Sequence, residues 1–241
     1  SVHMVQHLLI VMVAAPLLLI AAPVTLLLRV ATPEARQRLI LPILHSRLLR
    51  ILTNPFVAWG LFAVVMWGSH FSPLFDAALE DPRVHQLDHA LFLGTALLFW
   101  YPAIGADPGP NRLPHAARLG YLGLGMPYGS FLGLAIFSAT EVLYAHYATL
   151  QRTWGPTPLE DQALAGGLMW AGGDLVFLIA LVLALAVWLR AEEAAGRRED
   201  ERLDRERTAA GAVAPIAAVA PTDRKSTRLN SSHLGISYAV F

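Results

Sequence analysis

Histidines provide the clearest chemistry in this sequence, because they occur in pairs at helical spacing. His3 and His7 are four residues apart, and so are His85 and His89. Residues i and i+4 lie on one face of a helix, so each pair can place two imidazoles side by side. Neutral imidazole is a good ligand for transition metals. Each pair is therefore a candidate metal site, and the alternative is that interfacial histidines hydrogen-bond to headgroups or water.

A further pair combines a thioether with an imidazole. Met66 precedes His70 by four residues, and Met4 lies between the first two histidines. Thioether and imidazole together suit Cu(I), although methionine in an apolar helix more often serves packing. The chain has no cysteine, which excludes thiolate ligands and disulfides. The remaining methionines are predicted to lie in the core: Met12, Met126 and Met169.

Three acidic residues accompany these groups. Asp88 adjoins His89, where its carboxylate can orient a ligating imidazole or bind metal itself. Asp161 opens an apolar segment, so it is either a metal ligand or a helix cap. Asp174 lies well inside that segment, where an acid is costly to keep. It can pair with a buried polar group, carry a proton, or be neutral and hydrogen-bonded.

The elements that position these residues are apolar helices. Hydrophobic residues make up 55% of the 241-residue chain, charged residues 15%, and the mean hydropathy is +0.49. This composition predicts an all-α, polytopic transmembrane bundle. A bilayer-spanning helix needs about 20 apolar residues. Five stretches are predicted to span: Leu8–Leu28, Ile51–Ser69, Ala90–Ala106 (extending back toward His85), Leu119–Thr140 and Ala163–Leu189.

Arginine positions predict the orientation of these spans, because loops rich in Lys and Arg stay in the cytoplasm. The first and third loops and the segment after the fifth span are arginine-rich, whereas the second and fourth hold only Arg83 and Arg152. The N-terminal end is therefore expected outside and the C-terminal tail in the cytoplasm. Six histidines then fall at outer helix ends: His3, His7, His70, His85, His89 and His146.

Composition shifts divide the chain into four parts. Residues 1–190 are predicted to form the bundle, 191–207 a charged cytoplasmic helix, and 208–222 a disordered Ala/Pro tail. Residues 223–241, with DRKSTRLNSSH, resemble translated sequencing adapter and are not expected to belong to the fold. Because the chain starts at Ser1 without a signal pattern, we expect it to begin inside a longer protein. Zero net charge and the lack of a phosphate loop argue against nucleic-acid or nucleotide partners.

Four motifs together resemble the CtaG family of cytochrome c oxidase assembly proteins, which are membrane copper-delivery factors. They are HMVQH, SHFSPLFDAAL, HQLDHALFLGTALLFWYPAIG and DQALAGGLMWAGGD, and the similarity runs from about His3 to Trp188. The resemblance implies a seven-helix protein of the bacterial cell membrane, with two helices ahead of Ser1. It also implies a non-enzymatic role in supplying copper, as Cu(I), to the copper B centre in subunit I of the oxidase. The implied metal residues are His3, His7, His85 and His89, with His70 and Asp161 as weaker matches.

Two other function classes remain open at this stage. A b-type haem protein would use histidines from different helices as axial ligands. A metal or proton transporter would use Asp174 midway across the membrane. The helix-end position of the histidine pairs disfavours the first, and the apolar residues that follow Asp174 disfavour the second.

Overall fold

The structure is a computed structural model that describes residues 1–149 and 154–213, and in those residues every regular element is helical. Four helical segments are individually long and apolar enough to cross a membrane, and a bent pair of helices provides a fifth. The predicted all-α membrane bundle of five helices is therefore confirmed. The five segments are Val2–Val30, Pro55–His70 with Leu74–Glu80 (bent by 66°), Pro82–Ile104, His115–Phe137 and Pro158–Ala209.

The first segment is broken at its prolines. It consists of α1 (Val2–Leu8), a π-helix (Leu9–Ala14), α2 (Ala15–Ile20) and α3 (Pro23–Val30). Between α2 and α3, Ala22 adopts a left-handed conformation with φ of 50°. The backbone N–H groups of Val24 and Thr25 donate to the buried carboxylate of Asp107, at 3.1 and 2.7 Å. Asp107 therefore caps α3 from another part of the chain.

The π-helix leaves one backbone carbonyl to be satisfied by a side chain. The Ala15 N–H donates to the carbonyl of Ile10 instead of that of Val11. A π-type partner for the Val11 carbonyl would be the N–H of residue 16, but Pro16 has none. The indole Nε1 of Trp100 donates to the Val11 carbonyl at 3.0 Å. This bond fixes the first segment to the third where water is excluded.

Short helices connect the first two segments. They are α4 (Pro33–Ala35), a π-helix (Arg36–Ile40), α5 (Leu41–Leu44) and α6 (Arg47–Leu52). Thr32 caps α4 and Ser46 caps α6 through their hydroxyl oxygens. Polar caps suit a connection outside the apolar core.

The three central helices meet at the histidines, where α7 ends and α9 begins. They are α7 (Pro55–His70), α8 (Leu74–Glu80) and α9 (Pro82–Ile104). Asn54 caps α7 and Asp81 caps α9. The third span thus begins ahead of His85, as its length required. Helix α9 packs against α2, α7 and α8, with Phe92 and Phe99 completely buried.

The last helices are α10 (His115–Phe137), α11 (Ala145–Thr149) and α12 (Pro158–Val213). Helices α10 and α12 meet backbone to backbone at two glycines. A Cβ on Gly133 would lie 2.7 Å from the Trp170 nitrogen, and one on Gly166 would lie 2.5 Å from the Phe137 nitrogen. The absence of side chains at these positions therefore allows the two helices to approach closely.

The chain divides into two compact units at Glu193 and Ala194. In the second unit, the helical residues carry pairs such as Arg202 with Glu199, at 2.8 Å. Helix α12 continues to Val213, so residues 208–213 of the predicted disordered tail are helical. The rest of that tail and the adapter-like stretch 223–241 lie outside the described residues.

The close contact of α10 with α12 can be tested by adding one methyl group. Gly133→Ala forces the backbones apart and is expected to lower the free energy of unfolding by about 1–3 kcal/mol. Gly123→Ala on the same helix is the matched control, because no atom lies within 4 Å of the place its methyl group would take; alanine there stabilises by up to about 1 kcal/mol. Unfolding in mixed detergent micelles measures both, and equal effects would contradict the packing described.

The bond between Trp100 and the Val11 carbonyl can be tested with a double-mutant cycle. Trp100→Phe leaves that carbonyl without a donor and is expected to cost about 1–3 kcal/mol of unfolding free energy. Pro16→Ala restores a backbone N–H nearby, so Trp100→Phe is expected to cost less in that background. Strict additivity of the two substitutions in the same unfolding assay would show that the carbonyl does not depend on the indole.

Candidate metal centre

Five histidines from three segments converge at one end of the bundle. The first segment begins there with His3 and His7, and α9 begins there with His85 and His89. Helix α7 ends there with His70. Helix α7 runs antiparallel to the first segment and to α9. Its last residue, His70, therefore lies near the first turns of both. The fold therefore gathers side chains from distant parts of the chain.

Three of these histidines form a group that can hold one metal ion. His3, His85 and His89 each offer a ligand nitrogen, and these nitrogens lie within 4.8 Å of one another. The ring centroids are 5.1 Å apart for His3 and His85 and 4.2 Å apart for His85 and His89. Metal–nitrogen bonds of about 2 Å place ligand nitrogens about 3.5 Å apart. We call these three residues the histidine trio.

Two members of the trio each keep a ring nitrogen available for a metal ion, and in His85 a hydrogen bond fixes which nitrogen it is. His85 Nδ1 lies 3.2 Å from the carbonyl of Ala78, which can only accept, so Nδ1 carries the proton and Nε2 keeps its lone pair. His89 Nε2 is buried and has no hydrogen-bond partner among the described residues. Hydrogen bonds to the second ring nitrogen, such as that of His85, fix the tautomer and the orientation of a ligating ring.

His7 lies beneath the trio and contacts it. Its Nε2 is 3.0 Å from His3 Nε2, and its ring centroid is 5.1 Å from that of His89. The side chain is only 3% exposed, and its ring packs against Phe92 at 4.7 Å. His7 is therefore close enough to act as a fourth ligand, as its pairing with His3 predicted.

His70 lies deeper and has a defined tautomer. Its Nδ1 donates to the Met66 carbonyl at 2.7 Å, which leaves the Nε2 lone pair free. That Nε2 is buried without a hydrogen-bond partner in the described part of the chain, and the side chain is 2% exposed. The ring centroids of His70 and His7 are 6.4 Å apart. His70 therefore borders the trio through His7 instead of belonging to it.

The acidic residues lie around the histidines in different ways. Asp88 is buried and accepts a hydrogen bond from Ser69 Oγ at 2.8 Å. Its carboxylate acts electrostatically on both His70 and His89. Asp161 accepts a hydrogen bond from the Ser1 hydroxyl at 2.7 Å. Asp88 therefore adds negative potential near the cluster, whereas Asp161 is not in the converging group.

Asp174 lies on α12 within the membrane span and pairs with a polar side chain of α10. The Ser130 hydroxyl lies 2.8 and 2.9 Å from its two carboxylate oxygens. Pairing with a buried polar group is one of the three roles that the sequence leaves open. The contact of Gly133 with Gly166 brings α10 and α12 close enough for this bond.

His146 does not belong to the cluster. Its Nδ1 instead lies 3.9 Å from a Glu80 carboxylate oxygen.

The grouping of the methionines in the structure was not predicted from the sequence. Met66 shares one buried cavity with the three methionines Met4, Met12 and Met169. The sequence pattern predicts only a core position for two of them, Met12 and Met169.

Comparisons with known proteins agree with this architecture. The family model for the cytochrome c oxidase caa3 assembly factor (Caa3_CtaG) matches residues 1–191. The chain is 33% identical over 211 residues to uncharacterized proteins of Mycobacterium bovis and Mycobacterium tuberculosis, covering 85% of this chain and 32% of each relative. An uncharacterized protein of Mycobacterium leprae is 32% identical over 212 residues. The chain spans about a third of the length of these curated relatives, and no solved structure matches it.

The convergence of the first and third spans can be tested by cross-linking, since the chain has no cysteine of its own. We expect His7→Cys with His89→Cys to react with a short bifunctional thiol reagent, because the native rings are 5.1 Å apart. Trypsin separates the two positions at Arg29 and Arg83, so mass spectrometry identifies the linked fragments.

The control pair is His45→Cys with His89→Cys, since His45 lies in the connection at the other end of the first two spans. Equal yields from the two pairs would contradict the convergence.

Proposed function

The chain belongs to the Caa3_CtaG family of cytochrome c oxidase caa3 assembly factors, and from this premise we propose that it binds copper(I) and delivers it to the oxidase. The observation that carries the proposal is the histidine trio, whose three ligand nitrogens lie within 4.8 Å at one end of the bundle. The proposed recipient is the copper B centre of subunit I. Its ligands are also histidines, so donor and acceptor offer the ion similar bonds.

The ligand types favour copper(I) over harder ions. The trio offers only imidazole nitrogens, and Met4 and Met66 supply thioethers nearby. Imidazole and thioether suit Cu(I), whereas carboxylate and carbonyl oxygens suit magnesium, calcium and manganese. Electrostatic support for a cation comes from the buried carboxylate of Asp88.

The position of the trio favours release as well as binding. His3, His85 and His89 are each partly exposed, whereas His7 beneath them is buried. A three-ligand site with one open side lets an incoming ligand displace a bound one, as in metal sites that keep an open position. By the predicted topology this end faces outward. The proposed role is therefore stoichiometric delivery, in which each ion leaves with the oxidase and no substrate is turned over.

A haem function fits this arrangement less well. The two cavities that border the histidines hold about 30 Å³ each. Sites for cofactors are typically about 300–1,000 Å³. The rings of Phe75 and Phe92 also pack against His3 and His7, with centroids 5.5 and 4.7 Å apart. A macrocycle would therefore have to displace the core around the cluster.

We expect purified chain in detergent to bind copper(I) in anaerobic competition with a chromophoric chelator. His85→Ala with His89→Ala removes two ligands of the trio and is expected to weaken copper(I) binding at the trio itself by at least about 100-fold, since loss of even an indirect partner costs 10–100-fold. The control is His45→Ala with His115→Ala, which changes two histidines outside the cluster. A haem absorption band with no bound copper would end the proposal.

The role in assembly can be measured in a bacterium whose own gene of this family carries the substitutions. We expect His85→Ala with His89→Ala to yield oxidase that contains haem but lacks copper in subunit I, with partial recovery when copper is added to the medium. The His45→Ala, His115→Ala strain serves as the control. Normal copper content in the mutant oxidase would show that the trio does not supply it.

A further inference from the structure

A second group of soft ligands lies deeper in the bundle than the histidine trio. A buried cavity of about 30 Å³ opens between α1, α7, α10 and α12. Four of the five methionines in the chain line it, together with His7, His70 and Asp174. The fifth methionine, Met126, does not line it. Methionines are therefore concentrated at this cavity.

We propose that the cavity is a second, interior site for copper(I). Its ligands are His70 Nε2 and thioether sulfurs drawn from Met4, Met12, Met66 and Met169, and its counter-charge is Asp174. The choice of ion rests on the proposed function of the chain. The site itself rests on the residues that line the cavity.

His70 supplies a nitrogen that needs a partner. Its Nδ1 proton is used by the Met66 carbonyl, so its Nε2 can only accept a hydrogen bond or bind a metal. That nitrogen is buried, and no described residue donates to it. Leaving a buried acceptor unsatisfied is destabilising. The fold therefore holds an imidazole lone pair at a cavity lined by thioethers.

The methionines fit a soft cation better than they fit water. All four methionine side chains are buried, so their sulfur atoms are shielded from bulk solvent. A thioether is a weak hydrogen-bond acceptor, and a buried water needs 2–4 polar partners. Cu(I) in contrast is selected by thioether and imidazole ligands. Three rotatable bonds let each methionine sulfur adjust to an ion.

Asp174 balances the charge of a monovalent ion. A lone cation inside a membrane protein is costly unless it is paired. Asp174 lines the cavity, and Ser130 Oγ holds its carboxylate at 2.8 and 2.9 Å. One carboxylate with one Cu(I) gives a neutral pair. This accounts for an acid in the middle of an apolar helix.

His7 joins the interior site to the trio. Its Nε2 lies 3.0 Å from His3 Nε2, and the same side chain lines the interior cavity. Its Nδ1 is buried with no hydrogen-bond partner in the described structure. The two sites therefore share a wall made of one imidazole ring.

The test uses anaerobic copper(I) binding together with X-ray absorption, which distinguishes sulfur from nitrogen ligands. In the His85→Ala, His89→Ala background the trio is absent, and we expect one copper per chain with sulfur scattering. Adding Met66→Leu and Met169→Leu is expected to reduce the sulfur signal and weaken this binding by at least tenfold. Adding Met126→Leu instead is the matched control and is expected to change neither. Leucine for methionine conserves volume and is a well-tolerated exchange in packed cores, and unfolding of each variant checks its fold.

Asp174→Asn provides a second test of the interior site. Asparagine can still hydrogen-bond to Ser130, so the substitution removes only the charge. In the background without the trio, it is expected to weaken copper binding by about 10–100-fold. In the chain with the trio intact, one copper with nitrogen ligands is expected to remain.

The outcomes separate this inference from the proposed function. Copper bound by the intact chain through nitrogen alone, with none in the background lacking the trio, would overturn the interior site and leave the trio standing. Sulfur-bound copper that is identical with and without the trio, at one ion per chain, would support the interior site and remove the trio. Failure of every form to bind copper would overturn both.

Discussion

Imidazole nitrogens taken out of water must find a partner, and this requirement organises one end of the bundle. His7 and His70 are 3% and 2% exposed, yet each keeps one buried nitrogen without a hydrogen-bond partner among the described residues. Backbone carbonyls of Ala78 and Met66 accept the Nδ1 protons of His85 and His70. In the trio, the ligand nitrogens of His3, His85 and His89 lie within 4.8 Å of one another. A single metal ion satisfies several of them at once, which a set of separate hydrogen bonds cannot do as compactly.

The rest of the fold depends on irregular helices whose backbone N–H and C=O groups need hydrogen-bond partners in an apolar setting. The π-helix and Pro16 leave the Val11 carbonyl without a backbone donor, and Trp100 supplies the missing N–H. That bond also ties the first span, with His3 and His7, to α9, which bears the other two members of the trio. Between α10 and α12, Gly133 and Gly166 let the two helices approach closely. Irregular backbone thus contributes directly to the position of the ligands.

Much of this could be predicted from the sequence, because hydropathy and the i, i+4 pairs are local properties. The five spans and the start of α9 ahead of His85 followed from length and composition. The arginine pattern placed His3, His7, His70, His85 and His89 at one end, and the structure gathers them there. Which of them lie within ligand distance of one another was not predictable, since ring contacts between α1, α7 and α9 depend on helix rotation. Asp88, for example, faces Ser69 instead of orienting an imidazole.

The methionine cavity shows a second kind of limit to prediction. Met4, His7, Leu8, Val11 and Met12 follow the helical i, i+3, i+4, i+7, i+8 pattern, which is typical of one helix face. Methionine is common in packed interiors, and the same pattern describes an ordinary core. Only the positions of Met66 and Met169 on other helices show that the methionines line one common cavity. That information comes from tertiary packing alone.

Nitrogen NMR of the chain carrying ¹⁵N-labelled histidine can decide whether the trio shares a copper ion, because Cu(I) is diamagnetic and each imidazole nitrogen reports its own bonding. With one equivalent of copper(I), imidazole nitrogens of His3, His85 and His89 are predicted to shift together, while those of His45 and His115 stay unchanged. Unchanged signals from the trio, or equal shifts in all five rings, would contradict a copper site at this end of the bundle.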